Sequence, residues 1–297
     1  MRIAVTGKNG QVVSALLALA NSDLEIIALG RPELDLLHPE TVLRALQDAK
    51  ADAIVSAAAF TAVDKAESES NTAFAINRDG ARAVAQAARE LGLPIIHLST
   101  DYVFNGAKDG AYKENDATSP TSIYGRSKLD GETAVSETNP NHVVLRTAWL
   151  YSQYGNNFVK TMLRLAESRD AINVVADQTG CPTSANDIAH AIVLIAKRLI
   201  EDSTPSLRGI FHLCGSGETN WAAFAKQIFA FSVSEGGKPM TVNQITTEEY
   251  PTPAKRPANS RLNCSKLEEI YGIQMPEWQL STQAVVSALA RSKKETP

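Results

Sequence analysis

Five short apolar runs, at residues 3–6, 25–29, 53–57, 95–99 and 143–147, recur through the first half of this chain. Each is only four or five residues long and rich in Ile, Val and Leu. Apolar runs of that length suit strands buried on both faces, the condition of a parallel sheet, whereas a sheet wetted on one side shows strict alternation. Helical patterns fill the gaps, at 11–20, 40–50, 72–91 and 123–137. The second of these begins well, with Pro39 in the first turn and Glu40 beside it. Strand–helix alternation at this spacing predicts βαβ units and an α/β, doubly wound parallel sheet.

Beyond Thr147 the pattern loosens. A helix is expected at 157–168, a short apolar run at 173–176, a strongly apolar helix at 186–200, a strand at 209–213 and a helix at 220–232. Three prolines between 250 and 257 precede short helices near 265–271 and 281–291. The expected division is a dinucleotide-binding domain, residues 1–150 with about 184–213, and a smaller substrate-binding lobe, about 151–183 with 214–297.

Composition excludes several classes. A net charge of −4 with scattered basic residues leaves no footprint for nucleic acid or an anionic membrane. No segment approaches the ~18 consecutive apolar residues of a membrane span. The chain opens on a strand without signal-peptide architecture, so a cytoplasmic location is expected. Cys181, Cys214 and Cys264 stand far apart with no CxxC spacing, which predicts neither zinc binding nor redox work. Histidines 38, 97, 142, 190 and 212 show no HxxxH or HExxH spacing, and no metal site is expected.

The first run leads directly into Thr6-Gly7-Lys8-Asn9-Gly10-Gln11 and then a helix. Gly7 and Gly10 let the backbone turn tightly against a diphosphate, for which the helix start offers unpaired N–H donors. Val13 occupies the place where a third small residue often stands. The second run ends at Leu29-Gly30-Arg31. A carboxylate there suits the ribose 2′-hydroxyl of NADH, and an arginine suits a 2′-phosphate, so Arg31 favours NADPH. Asp35 keeps NADH use open.

The fourth run delivers Leu98-Ser99-Thr100-Asp101, and Tyr124-Gly125-Arg126-Ser127-Lys128 follows on a helix. At i and i+4 the phenol and ammonium share a face. A neighbouring cation favours phenolate, which predicts a lowered Tyr124 pKa and a role in proton transfer. Thr100, at the carboxyl end of its strand, is placed to hydrogen-bond a carbonyl under reduction.

These motifs resemble the extended short-chain dehydrogenase/reductases, and within them the dTDP-4-dehydrorhamnose reductase family. The likeness runs nearly end to end. It rests on Gly7 to Gln11, Ala57 to Glu67, Ser99 to Phe104, Tyr124 to Lys128, Leu145 to Trp149 and Gly155 to Phe158. Most specific are Asp177-Gln178-Thr179-Gly180-Cys181-Pro182-Thr183 and Arg256-Pro257-Ala258-Asn259-Ser260-Arg261-Leu262.

The resemblance implies a Rossmann-like fold and reduction of the C4 ketone of dTDP-4-dehydro-L-rhamnose by NADPH or NADH. It makes Thr100, Tyr124 and Lys128 catalytic. It places Gly10, Gln11 and Val12 at the cofactor diphosphate and Asp35 and Leu36 near the adenine. Ala59, Phe60, Thr61 and Leu98 line the cofactor, with Tyr124 and Lys128 also touching it. Asp101 and Trp149 meet the substrate, and Arg256, Asn259 and Arg261 its nucleotide diphosphate. The other reading of the two arginines is a structural pair tying the tail to the core. The partner expected is a small nucleotide-sugar, with a homodimer left open. A divalent metal is not carried over, since the helix at 11–20 holds no carboxylate. Alternatives are a related dTDP-4-keto-6-deoxy-sugar reductase of other C4 stereochemistry and a non-catalytic regulatory subunit of the same fold. A 4,6-dehydratase is disfavoured, because Tyr102 stands where such enzymes carry a second acid.

Overall fold

A computed structural model describes residues 1–295; the last two residues of the lobe expected at 214–297 lie outside the described part. The six expected strands all form: β1 (Arg2–Thr6), β2 (Glu25–Leu29), β3 (Ala53–Ser56), β4 (Ile95–Thr100), β5 (His142–Thr147) and β6 (Gly209–His212). They make one all-parallel sheet in the order β6-β5-β4-β3-β1-β2. The chain moves outward from β1 to β2, then crosses back to β3, so the strand order reverses between β1 and β3. In doubly wound sheets loops leaving two such strand tips diverge, and ligands bind in the crevice between them at the carboxyl edge. Thr6, fully buried, bridges the tips: its Oγ1 accepts the amides of Ala57 and Ala58, both at 3.0 Å.

Burial on both faces explains the apolar runs. On one face Ile3, Val5, Val55, Ile96 and Leu145 pack with α1 (Gln11–Ala18) and α6 (Ala185–Glu201). The intervening residues Ala4, Ile54 and Ile95 face the opposite core, with α2 (Val42–Ala49), α3 (Ala81–Glu90) and α4 (Ile123–Thr138). Each fully buried Ile or Leu contributes ~1.5–3 kcal/mol relative to exposure.

One helical prediction is interrupted. The stretch expected at 72–91 is a short helix, Ser70–Phe74, then one turn of π-helix, Ala75–Gly80, and then α3. The wider turn directs Asn77 inward against α4, where Gly131 lacks the Cβ that would lie 2.2 Å from the Asn77 carbonyl oxygen.

The rest of the chain holds a third core around Tyr151, Met162, Phe224, Ile228, Trp278 and Val285, from α5 (Phe158–Leu165), α7 (Trp221–Ser234) and α9 (Trp278–Glu295). Helix α8 (Ser265–Tyr271) packs beside β6. Ala171–Val175 pairs with Thr241–Ile245, a largely exposed strand that the sequence pattern did not reveal. Thr179–Gly180 lies between Thr219–Asn220 and Asn259–Ser260, drawing the tail onto the body of the molecule. Among the described residues no helix is long and apolar enough to cross a membrane.

Candidate active site

The turn after β1 has the geometry its glycines predict. Gly7 adopts φ +101°, a region L side chains avoid, and its amide donates to Leu29 O at 2.6 Å. Gly10 caps α1 without a side chain, so no cap competes for the helix's first N–H groups. These donors at the positive helix end suit a diphosphate. Val13, in the place of a third small residue, is accommodated: its Cγ2 reaches ordinary contact distance of the position a Gly7 Cβ would take, 3.5 Å. Val12 beside it is buried. Gln11 faces the other way, its Oε1 accepting from Ser152 Oγ at 2.7 Å and Asn157 Nδ2 at 2.9 Å. It thereby ties the turn after β1 to the second half of the chain.

At the tip of β2, Arg31 is exposed and its guanidinium makes no hydrogen bond or ion pair to any described residue. Lys8 reaches across to Arg31 O at 3.0 Å and Glu33 at 2.5 Å. Asp35 is half-buried and accepts the Leu37 amide at 3.0 Å, while Leu36 is buried where a Cβ on Gly80 would clash at 2.7 Å. Ala59, Phe60 and Thr61 lie on the loop leaving β3. Asn77 fixes that loop, accepting the Phe60 amide at 2.8 Å and donating to Phe60 O at 3.1 Å. The same Asn77 amide donates to Ser127 Oγ at 2.9 Å, and Ser127 Oγ donates to Tyr124 O at 2.8 Å. Asn77 is therefore a positioning residue joining the loop to α4. The sequence offered no signal for it beyond a polar residue inside an apolar helical pattern.

Helix α4 starts at Ser122, whose Oγ accepts the Gly125 amide, and carries Tyr124 and Lys128 inward. Tyr124 is 9% exposed and Lys128 3%. The two share a face as the spacing predicts, but the expected lowering of the phenol is not what this structure shows. Burial pushes the Tyr124 phenol upward, the Asp101 charge adds to that, and a hydrogen bond with Thr100 only partly offsets it. Lys128 Nζ is committed to Leu98 O at 2.6 Å. Burial draws this lysine down to about 8, opposed by the Glu132 carboxylate one turn along.

Thr100 and Asp101 complete the cluster at the tip of β4. Thr100 Oγ1 donates to Asp101 Oδ1 at 3.0 Å and accepts the Tyr102 amide at 3.2 Å. Burial lifts the Asp101 carboxyl to about 6, against hydrogen bonds from Ser260 and Thr100 that favour the charge. Behind this cluster lies a second network that sequence reasoning missed. Glu132 and Arg146, both 2% exposed, pair at 2.7 Å, and Ser99 Oγ donates to Glu132 at 2.5 Å. Arg146 also lies over the Phe104 ring, 5.1 Å from its centre.

Trp149 adopts φ +48° and stacks on Trp221 with ring centres 3.6 Å apart. Gly180 makes room for it, because a Cβ there would lie 2.4 Å from the indole. Arg256 donates to Asp64 at 2.7 Å and to the Tyr102 hydroxyl at 3.1 Å, and the Tyr102 ring meets Tyr124 edge-on at 5.5 Å. The tail thus reaches the tyrosine cluster through Tyr102. Asn259 Nδ2 donates to Lys108 O and Gly110 O at 2.6 and 2.8 Å, and its Oδ1 accepts from Arg261 Nε at 2.9 Å. Arg261 pairs with Glu218 at 3.2 Å and lines a cavity of about 550 Å³. These tail contacts match the structural reading of the two arginines, while Arg261 keeps one face toward that cavity. The thiols judged remote in sequence also meet beside it. Cys214 and Cys264 have Sγ atoms 3.4 Å apart, and Cys181 interacts with Cys214.

Comparison with known proteins places this geometry. A family model described as the RmlD substrate binding domain matches residues 1–291. The dTDP-4-dehydrorhamnose reductase of Sinorhizobium fredii is 59% identical over 99% of this chain and 100% of its own length. The crystal structure of such a reductase from Clostridium acetobutylicum superposes with a TM-score of 0.90 at 37% identity, covering 97% of this chain and 99% of that one. A Bacillus anthracis relative solved in complex with NADP gives 0.88 at 37% identity, covering 96% and 98%. By the family match and by identity carried across nearly the whole of both chains, this protein belongs to the dTDP-4-dehydrorhamnose reductase family of extended short-chain dehydrogenase/reductases.

Proposed function

We propose that this protein reduces the C4 ketone of dTDP-4-dehydro-L-rhamnose to dTDP-L-rhamnose with NADPH, which it uses at least as well as NADH. The observation that carries the reading is the cluster at the tip of β4, where Tyr124, Thr100 and Asp101 adjoin and Lys128 is anchored on Leu98 O. When bound, the reduced nicotinamide supplies a hydride to the ketone carbon. Negative charge then builds on the ketone oxygen and has to be met by a proton and hydrogen bonds. Burial keeps the Tyr124 phenol protonated, so the donor is loaded at neutral pH. Thr100 orients that phenol, and Lys128 supplies positive charge beneath it.

The turn at Gly7, Gly10, Gln11 and Val12 fits the cofactor diphosphate, having a side-chain-free cap and N–H donors at the start of α1. Arg31, exposed and without a protein partner, suits the 2′-phosphate. Asp35, Leu36, Ala59, Phe60, Thr61 and Leu98 form the walls of the same crevice in this reading. Residues 1–150 with 184–213 make the cofactor domain, and 151–183 with 214–297 the substrate lobe. Asp101 and Trp149 face the sugar, and Arg261 serves the nucleotide diphosphate. Arg256 and Asn259, already committed to protein partners, hold the tail in place for it. The proposed location is the cytoplasm, where the reduced cofactor is kept.

The test is to supply dTDP-4-dehydro-L-rhamnose and NADPH to the purified protein and identify the product sugar by NMR. A product epimeric at C4 would overturn the stereochemical part of the reading, and absence of NADPH oxidation would overturn the whole.

A further inference from the structure

We propose that Cys214 and Cys264 form an oxidisable pair, closing to a disulfide when a small uncharged hydroperoxide enters the cavity beside Arg261. The observation is geometric. The two sulfurs lie 3.4 Å apart although 50 residues separate them in the chain. A disulfide needs ~2.05 Å, so about 1.4 Å of side-chain movement closes it. The Cys214 amide also donates to the Cys264 sulfur at 3.4 Å, which holds the sulfurs together.

The two thiols differ in access. Cys214 is 3% exposed at the end of β6, donating its proton to Leu262 O at 3.5 Å. Cys264 is half-buried, and both line the cavity of about 550 Å³. Cys264 is accordingly the sulfur that meets an oxidant, and Cys214 the one that resolves it.

The chemistry balances as follows. With hydrogen peroxide, the simplest such oxidant, the Cys264 thiolate attacks one peroxide oxygen; an S–O bond forms, the O–O bond breaks, and hydroxide leaves. The Cys214 thiol then attacks the Cys264 sulfenic acid, releasing its proton to the departing oxygen; an S–S bond forms, the S–O bond breaks, and a second hydroxide leaves. With the two thiol protons, each hydroxide becomes water. Two thiols are oxidised by two electrons in total and the peroxide is reduced by two. A dithiol reverses the bond by exchange.

Access selects the oxidant. Cys264 is half-buried and Cys214 is 3% exposed, so a small hydroperoxide reaches sulfur more readily than a bulky disulfide such as glutathione disulfide.

The test is mass mapping of the intact chain. Protein reduced and freed of reductant is exposed to graded hydrogen peroxide or glutathione disulfide, alkylated, digested without reduction and analysed by mass spectrometry. With peroxide, the alkylatable thiols are expected to fall from three to one. A cross-linked peptide pair containing Cys214 and Cys264 should appear and vanish on treatment with dithiothreitol. Glutathione disulfide, the bulkier oxidant, should react at least about tenfold more slowly. Cys264→Ser is expected to abolish the cross-link and Cys181→Ser to leave it. Cys264→Ala, which removes the oxygen of the serine variant, repeats the first test should the serine misfold. A Cys181–Cys214 link, a link between two chains, irreversible oxidation of Cys264 or three unreacted thiols would each overturn the proposal. Equal rates with the two oxidants would overturn the selectivity.

Discussion

Replacing Asp101 by Asn is expected to stabilise the protein at neutral pH and to leave its stability unchanged in acid. Asp101 is 3% exposed, and burial raises its carboxyl from 3.8 to about 6. The folded chain therefore binds this proton more tightly than the unfolded chain does. Below the unfolded value of 3.8 both states carry the proton, and the site imposes no charge penalty. As pH rises through that value toward the folded one near 6, the buried group has to ionise, and the penalty is fully developed above it. Each tenfold difference in proton affinity is ~1.4 kcal/mol, so the shift amounts to about 3 kcal/mol. Asn keeps the shape, and its Oδ1 still accepts from Thr100, but it loses the favourable hydrogen bond with Ser260. Allowing for that, the expected gain at pH 8 is ~1–3 kcal/mol. Urea unfolding of both proteins between about pH 4 and about pH 8 measures it: the difference should grow across the acid window and then level off. A difference independent of pH, or an Asn variant less stable at pH 8, would refute the account of why this carboxyl is costly. The variant should also be the poorer enzyme, since strained groups at a site are commonly retained for function.

Tyr124→Phe removes the proton donor with little change of volume. NADPH binding and folding should survive while kcat falls ~10²–10⁴-fold; turnover within about threefold of the parent contradicts the mechanism. Arg31→Ala should lower the ratio of kcat/KM for NADPH over NADH, measured with both cofactors, because an unpartnered guanidinium is lost at the tip of β2. Glu132→Gln leaves Arg146 buried without its counter-charge, and denaturant titration should show a loss of ~3–5 kcal/mol. In the fraction that remains folded, Lys128 loses the carboxylate that supports its charge, so the alkaline limb of the kcat profile should move to lower pH.

The sheet was legible because its central strands are buried on both faces, and such strands announce themselves as apolar runs. Thr241–Ile245 escaped notice for the opposite reason. Its sequence, Thr-Val-Asn-Gln-Ile, is largely exposed, and only pairing with Ala171–Val175 makes it a strand. The Tyr124–Lys128 pair could be read because helical spacing puts i and i+4 on one face. What spacing could not supply was the burial that raises the phenol and the carbonyl, Leu98 O, that claims the ammonium. Asn77, Glu132 and Arg146 act through partners at least 14 residues away, and nothing local in the sequence marks them. The cysteines show the same limit from the other side. Distance along the chain argued them apart, and folding of the tail beside β6 brought them together.

The chain's three tryptophans have a spectroscopic consequence. Trp149 and Trp221 lie nearly parallel at 3.6 Å, whereas Trp278 is buried edge-on to Phe224 at 5.5 Å. Two indoles stacked so closely couple their electronic transitions and should give a bisignate band in the ultraviolet circular dichroism. Trp278 has no second indole stacked on it and contributes an ordinary background. Any ligand that parts or tilts the stacked pair will collapse the couplet while leaving that background in place. The molecule therefore carries its own optical ruler, needing no dye and no turnover.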